Sequence, residues 1–334
     1  MAAEPLAGIA EVRADWSRLA EASGNPFATV EWCEAWLEHI GRSCQVRLFG
    51  ERGADGSLLA IAPLVIVQGR YVRKARLLGF GPSNELGAVA APADVEAASG
   101  LLRQALAATS TEWDVFLGEY LPGEGWSARL GARHVARTAS PVARGPWGSW
   151  DDYLATRSSG FRQELRRKER RLESRGLHYR DVADPSELGG ALDVLFELHR
   201  ARWGEQASRW FAGQEGFQRA FSRAALERGW LRLRILELDG RPVAVYHGFR
   251  FGTAERSHQF GRDPEHDELS VGLVVTAYAV RRAFEEGATA FYLGPGAQPY
   301  KFRFATDDPG LETVGKARGL RGWASLLAER RRRY

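Results

Sequence analysis

The sequence predicts a two-domain α/β (α+β) protein, on three observations. Amphipathic helices and short strands alternate through both halves of the chain. Each half contains a strand pair joined at Asp-Gly, at 55–56 and again at 239–240, the dipeptide that favours a tight hairpin. The length of 334 residues exceeds one ordinary domain and suits two of average size.

In the first half, ADWSRLAEAS and NPFATVEWCEAWLEHIG read as helices, the second Trp-rich and entered through a turn. CQVRLFGERGADGSLLAIAPLVIVQ reads as the hairpin, KARLLGFG as a short strand, Asp94 to Ala108 as a helix and WDVFLGEYL as a strand. The Pro- and Gly-rich SPVARGPWGSW reads as the connection between domains, placing these at 1–150 and 151–334.

The second half opens with a basic helix, FRQELRRKERRLESRG, capped around Ser158 or Ser159. A strand (LHYRDVA) and a helix from Pro185 to about Trp203 follow. Next come a second helix, GFQRAFSRAALERG, and the hairpin WLRLRILELDGRPVAVYHGFRF. RSHQFGRD is a strand, VGLVVTAYAVRRAFEEG a helix stopped at Gly287, and ATAFYLGPG the next strand. The order in each half is similar, without a close sequence repeat.

Composition narrows the function classes. Hydrophobic residues at 44% and charged residues at 26% are ordinary for a globular chain, and a net charge of +4 suits an anionic ligand without requiring nucleic acid. Cys33 and Cys44 form no CxxC pair and lie in no metal-ligand spacing, so neither a structural zinc nor a disulfide framework is expected. No secretory signal and no membrane-spanning run is read, which gives a cytoplasmic expectation.

The chemistry concentrates between Ser257 and Ala305. A strand, a loop ending in DELSVGL, a helix and a second strand form a βαβ candidate. Ser270, Val271 and Gly272 fall at the helix start, where unpaired amides and the helix dipole favour an anion such as a pyrophosphate. An ordinary serine cap satisfies the same residues. Downstream, FYLGPGAQPYKFRFA delivers Tyr300, Lys301 and Arg303 just beyond a strand end, where ligands of open α/β sheets gather. An edge strand with Phe302 and Phe304 turned inward and its cations in water fits this pattern equally. In LHRARW, Arg202 and Trp203 read either as an acceptor pocket or as core and ion pair. His247, and alongside it His258 and Glu237, are general-base candidates, although a lone histidine in a strand reads equally as a packed or hydrogen-bonded residue.

The order of hairpin, strand, loop, helix and strand resembles the GNAT superfamily of N-acyltransferases. Closer still, NPFATVEWCEAW, AIAPLV, WDVFLGEYLP, FRQELRRKERRLESRG, LHRARW, LDGRPVAVYHGFRF, FGRDP, LSVGL and YKFRFA resemble, in order, the CelD/BcsL-type acetyltransferases, relatives of the FemAB aminoacyl transferases. This resemblance implies two tandem GNAT-like domains, each a mixed, mostly antiparallel sheet flanked by helices. It implies acetyl-CoA or another acyl-CoA as donor, its pyrophosphate on Ser270, Val271 and Gly272, and its carbonyl polarised by a backbone amide between Gln259 and Gly261. Tyr300 would protonate the leaving thiolate, with Lys301 and Arg303 as nearby cations, and no metal would be needed. The acceptor would be an amine, or secondly a hydroxyl, of a saccharide or cell-envelope precursor. The first domain would form a wall of the acceptor cleft. Two departures stand out. Asp267 and Ser270 occupy the first and fourth positions of the phosphate-loop pattern, usually Gln or Arg and Gly. Tyr292 stands where an acidic residue is expected. Two alternatives stay open: a Fem-type transferase using aminoacyl-tRNA, and a non-catalytic GNAT-like binding module. The glutamates within the basic helix argue for a solvated face rather than a DNA contact.

Overall fold

The computed structural model describes residues 3–333, the side chains of 205–212 and 333 excepted. Strands β1 (Glu4–Leu6), β2 (Gln45–Arg52), β3 (Leu58–Gln68), β4 (Arg73–Leu77), β5 (Val89–Ala90), β6 (Val115–Pro122) and β7 (Arg133–Thr138) come first. Then follow β8 (Val142–Arg144), β9 (His178–Asp181), β10 (Leu231–Leu238), β11 (Arg241–Phe251), β12 (Ala254–Arg262), β13 (Ala290–Tyr292) and β14 (Leu311–Ala317). The helices are α1 (Ile9–Ser23), α2 (Val30–His39), α3 (Val95–Ala108), α4 (Trp126–Leu130), α5 (Trp150–Ala155) and α6 (Ser159–Glu173). They continue with α7 (Pro185–Ala212), α8 (Glu215–Glu227), α9 (Val271–Glu285), α10 (Pro299–Phe304) and α11 (Gly319–Arg333).

The chain divides into two compact units, Met1–Ser140 with Pro309–Tyr334, and Pro141–Asp308. The first sheet runs β1-β2-β3-β4-β6-β14-β7, with β5 added on β3, and the second runs β8-β13-β12-β11-β10-β9. In each sheet one pair is parallel, β4 with β6 and β12 with β13, and the remaining pairs are antiparallel. The expected pair of mixed, mostly antiparallel sheets flanked by helices is what the molecule contains.

The division along the chain differs from the expected 1–150 and 151–334 in two ways. Val142–Arg144, inside the stretch read as a connection, is an edge strand whose Val142 faces Tyr292 of β13. Leu311–Ala317 leaves the second unit and inserts between β6 and β7, with Leu311 opposite Thr138 and Val314 opposite Gly118. Both pairings join segments far apart in sequence, and periodicity reports only local order.

Local chemistry explains most elements. The Ser158 hydroxyl accepts from the Phe161 amide at 3.3 Å and starts α6, which buries Phe161, Leu165 and Leu172. Asp239 and Gly240 both take positive φ (48° and 74°), as a two-residue hairpin between right-twisted strands requires. The end of α9 is closed by Gly287 at φ 80°, with the Ala288 amide returning to the Ala283 carbonyl. Along β11 the faces alternate: Ala244 and Tyr246 join the core under α9, while His247 and Phe249 meet α8.

Two buried polar groupings sit in the second unit. Arg234 and Glu255, 1% and 0% exposed, flank β11 from β10 and β12, with one guanidinium nitrogen 3.2 Å from the carboxylate. Burial alone would depress the Arg234 pKa, but the Glu255 charge and hydrogen bond outweigh it and hold the guanidinium above its ordinary value. On the other face His247 Nε2 lies 3.0 Å from the Ser222 hydroxyl and His258 Nε2 lies 3.1 Å from the Gln218 amide nitrogen. Burial pushes His247 down to about 3, and burial together with His247 pushes His258 well below its ordinary value.

Glu255→Ala is expected to cost about 3–5 kcal/mol in urea denaturation, because it strands a desolvated guanidinium. Replacing both partners by apolar residues should cost clearly less, and equal losses would show that the charge itself is immaterial. The histidines set a pH dependence. The unfolded chain binds protons on these histidines below about pH 6.5, whereas the folded chain keeps His247 neutral down to about 3 and holds His258 well below its ordinary value, so their contribution is complete above pH 6.5 and lost on acidification. The slope is about 1.4 kcal/mol per pH unit for each histidine. His247→Gln should flatten the fall in denaturation midpoint between about pH 7 and pH 5, and an unchanged slope would contradict the assignment.

Candidate functional site

In the second sheet, pairing between β12 and β13 stops at Arg256 opposite Tyr292, although β12 continues to Arg262. The register against β11 slips between His247 and Gly248, leaving His258 as the extra residue of a bulge. Beyond the bulge, β12 presents one edge with no strand partner among the described residues. The βαβ connection returns beneath this opening, so α9 starts there.

A cleft of about 300 Å³ occupies the space, bounded by the end of β12, the start of α9, Arg202 of α7 and Tyr300 of α10. Gly261 decides how α7 reaches it. A Cβ there would lie 2.8 Å from Leu198 Cβ, 3.0 Å from the Leu195 carbonyl oxygen and 3.1 Å from the His199 amide nitrogen. The absence of a side chain therefore lets the helix lie directly on the strand and carries Arg202 into the cleft.

Ser270 holds φ 60° and ψ 38°, the left-handed conformation that normally selects glycine. This is the position where the GNAT pattern has glycine. Its hydroxyl makes no capping hydrogen bond. Its carbonyl accepts from the Leu273 and Val274 amides, which leaves those of Val271 and Gly272 without an intrahelical acceptor at the mouth of the cleft. Arg262 runs beside Gly272, where a Cβ would be 3.2 Å from its Cδ, and forms an ion pair with Asp267.

The other cation is Arg202, whose guanidinium lies 4.5 Å from the centre of the Trp203 ring. Among the described residues no carboxylate pairs with it. Burial and then the Arg262 charge lower its pKa, so the cleft is short of negative charge. The Tyr300 phenol is held protonated, its pKa raised by burial against the opposing pull of Arg202.

The structure thus brings together Arg202, Gly261, Ser270, Val271, Gly272 and Tyr300. Trp203 is 49% exposed beside Arg202, outside the cleft walls, and Gln259 is partly buried on β12. His247 lies away from the cleft, enclosed against α8, because the alternation of β11 turns it to that face. His258 shares its burial, and Glu237 pairs with His178 and Arg180 at the sheet edge.

YKFRF forms the helix α10 instead of an edge strand, with Pro299 in its first turn. Helical spacing buries Lys301 and Phe304 and leaves Phe302 44% exposed, the reverse of strand alternation for two of the three. Lys301 is therefore inward. Its ammonium donates to the Gly294 and Pro295 carbonyls at 3.0 and 2.7 Å, and burial, then Arg202, pushes its pKa down to about 8. Arg303 pairs with Glu164 at 2.6 Å and covers the Phe161 ring at 4.6 Å. Tyr153 donates to the Phe304 carbonyl at 2.6 Å. These ties fix α10 and with it Tyr300.

Two cleft residues were not singled out as ligand groups from sequence, Arg262 and Asp267. The signal that would have found Arg262 is its position as a cation ending the strand before the phosphate-type loop. Among the described residues no group of three or more His, Cys, Asp or Glu side chains is placed to hold a metal ion.

Residues 159–302 match the family model described as acetyltransferase (GNAT) domain. Among curated proteins none matches the chain. Among solved structures, FemX superposes with a TM-score of 0.68 at 12% identity, covering 98% of this chain and 100% of that one. L-PGS from Bacillus licheniformis gives 0.57 at 14%, covering 91% and 96%. A tandem GNAT protein from the clavulanic acid biosynthesis pathway gives 0.50 at 12%, covering 95% and 98%. At such identities the likeness is one of fold. The chain has the tandem GNAT-like fold, and the cleft lies in the unit that carries the acetyltransferase (GNAT) domain match.

Proposed function

We propose that the protein is a GNAT-type acyltransferase that takes its acyl group from acyl-CoA. The observation that carries this reading is the coincidence, in one cleft, of a left-handed residue at a glycine position, the first amides of α9 and two arginines. A pyrophosphate fits that set: the amides of Val271 and Gly272 and the helix dipole supply directed donors, and Arg202 and Arg262 supply charge. The residues present are therefore suited to the donor that the family implies.

When bound, the donor supplies a thioester, an activated acyl group. The free edge of β12 can offer a backbone amide to polarise its carbonyl. Direct attack by an acceptor amine forms the new C–N bond and breaks the C–S bond. Tyr300, kept protonated in the cleft wall, would give its proton to the departing sulfur, and the proton released by the acceptor amine would return to the phenol through solvent, so that the step balances. An amine of a saccharide or cell-envelope precursor remains the acceptor class that the family resemblance suggests.

A second reading has an aminoacyl-tRNA as donor. Its specific support is α6, where Arg162, Arg166 and Arg170 line an open groove of the same unit, within a fold shared end to end with FemX. A backbone of phosphates would meet those cations with strong salt dependence.

Calorimetry with acetyl-CoA separates the two readings. Wild type is expected to bind with a Kd on the order of micromolar. Gly272→Glu, which sets a carboxylate at the amide cluster, should weaken binding at least tenfold, roughly, by charge repulsion alone. Gly272→Ala should bind nearly normally, since its methyl meets only the flexible Arg262 chain. Absence of acetyl-CoA binding in wild type, with thermal protection by aminoacyl-tRNA, would move the assignment to the second reading. Once an acceptor supports thiol release, Tyr300→Phe should lower kcat by about 10²–10⁴ with donor binding intact.

A further inference from the structure

α11 is turned the wrong way round for a helix that covers a sheet. Toward its own unit it presents Gly322, where a Cβ would lie 2.1 Å from the Asp114 carbonyl oxygen, and Glu329, paired with Lys74 at 3.0 Å. Leu326 is the large apolar residue on that side, 4% exposed over Val115, Leu117 and Val135. The opposite side carries Leu320, Trp323 and Leu327, which are 90%, 36% and 54% exposed. Their spacing of three and four residues makes one continuous stripe, whereas a surface helix ordinarily turns its apolar stripe inward.

The surroundings are cationic and aromatic. Arg321 flanks the stripe, and Arg330, Arg331 and Arg332 stand exposed at its far end. Arg133 lies over the Trp323 ring at 4.5 Å. The β3–β4 turn adjoins the helix, since Val72 packs on the cluster that contains Leu326. That turn exposes Tyr71 to 68%, with Arg70 over its ring. Of the large hydrophobic side chains exposed among the described residues, only Trp203 and Phe302 lie elsewhere.

We propose that this face of α11 lies on an anionic membrane surface. Leu320, Trp323 and Leu327 would enter the boundary between headgroups and acyl chains, and the arginines would meet lipid phosphates. The helix would lie in the plane of the interface. Its 15 residues span about 22 Å, and no described helix is long and apolar enough to cross a membrane. Charge selects lipid over a second copy of the chain. Both ends of the stripe are cationic, Arg318 and Arg321 at one and Arg330 to Arg332 at the other, so two copies would oppose like charges in either orientation.

The test is co-sedimentation of the full chain with vesicles of phosphatidylcholine alone and of phosphatidylcholine mixed with phosphatidylglycerol. Wild type should pellet with the mixed vesicles, less with added salt, and little with phosphatidylcholine alone. Leu320→Ser with Leu327→Ser, and separately Arg331→Glu with Arg332→Glu, should each weaken binding at least about tenfold. Both pairs of side chains are exposed, so circular dichroism and melting should match wild type. Wild type that stays in the supernatant with anionic vesicles would overturn the proposal, as would variants that pellet equally. A wild-type dimer in sedimentation velocity, abolished by the leucine variant and accompanied by no vesicle binding, would reassign the face to self-association.

Discussion

The close approach of α7 to β12 is the constraint on which the site depends. It exists because position 261 carries no side chain: the helix backbone at Leu195 and His199 occupies the volume that a Cβ would need. One turn further along the same helix, Arg202 enters the cleft. A bulkier residue at 261 would lift α7 and withdraw that cation, so packing and ligand chemistry meet in a single atom's absence. The parting of β12 from β13 after Arg256 supplies the opening into which those groups point.

Electrostatics follow from this packing. Arg202, Arg262 and Lys301 are drawn together, with Asp267 the carboxylate that pairs with Arg262 at the cleft. Burial first, and then the neighbouring cation, lowers the pKa of Arg202 and of Lys301. Lys301 is compensated by two carbonyls of the Gly-Pro-Gly turn, a tie that holds the turn and α10 in one arrangement. Arg202 has no such compensation among the described residues. A site poised in this way gains most when an anion arrives, because a cation already desolvated loses little further hydration.

The contrast between the two faces of the second sheet explains why several polar residues do no chemistry at the cleft. His247 and His258 are neutral and enclosed, bonded to Ser222 and Gln218 of α8. Arg234 and Glu255 neutralise each other beneath α9. Such groups specify how helices seat on the sheet, whereas the cleft retains charge that is not internally neutralised.

The sequence by itself determined the local elements and the family pattern. Asp-Gly hairpins, the Ser158 cap, the Gly287 stop and the start of α9 just after Ser270 are written in adjacent residues, and each is present in the folded chain. The glycine-like role of Ser270 was legible only as a departure from a pattern, since nothing in a serine announces φ 60°. Tertiary structure decided the rest. Whether Lys301 faces a ligand or the core depended on YKFRF forming a helix, and alternation and helical period are hard to separate over so short a run. Whether His247 reached the cleft depended on the phase of β11, set by the core beneath α9. The return of β14 to the first sheet, and the edge pairing of β8 with β13, join residues distant in sequence. Hydrogen bonds between remote strands leave no periodic mark in either partner, so only the folded chain could choose them.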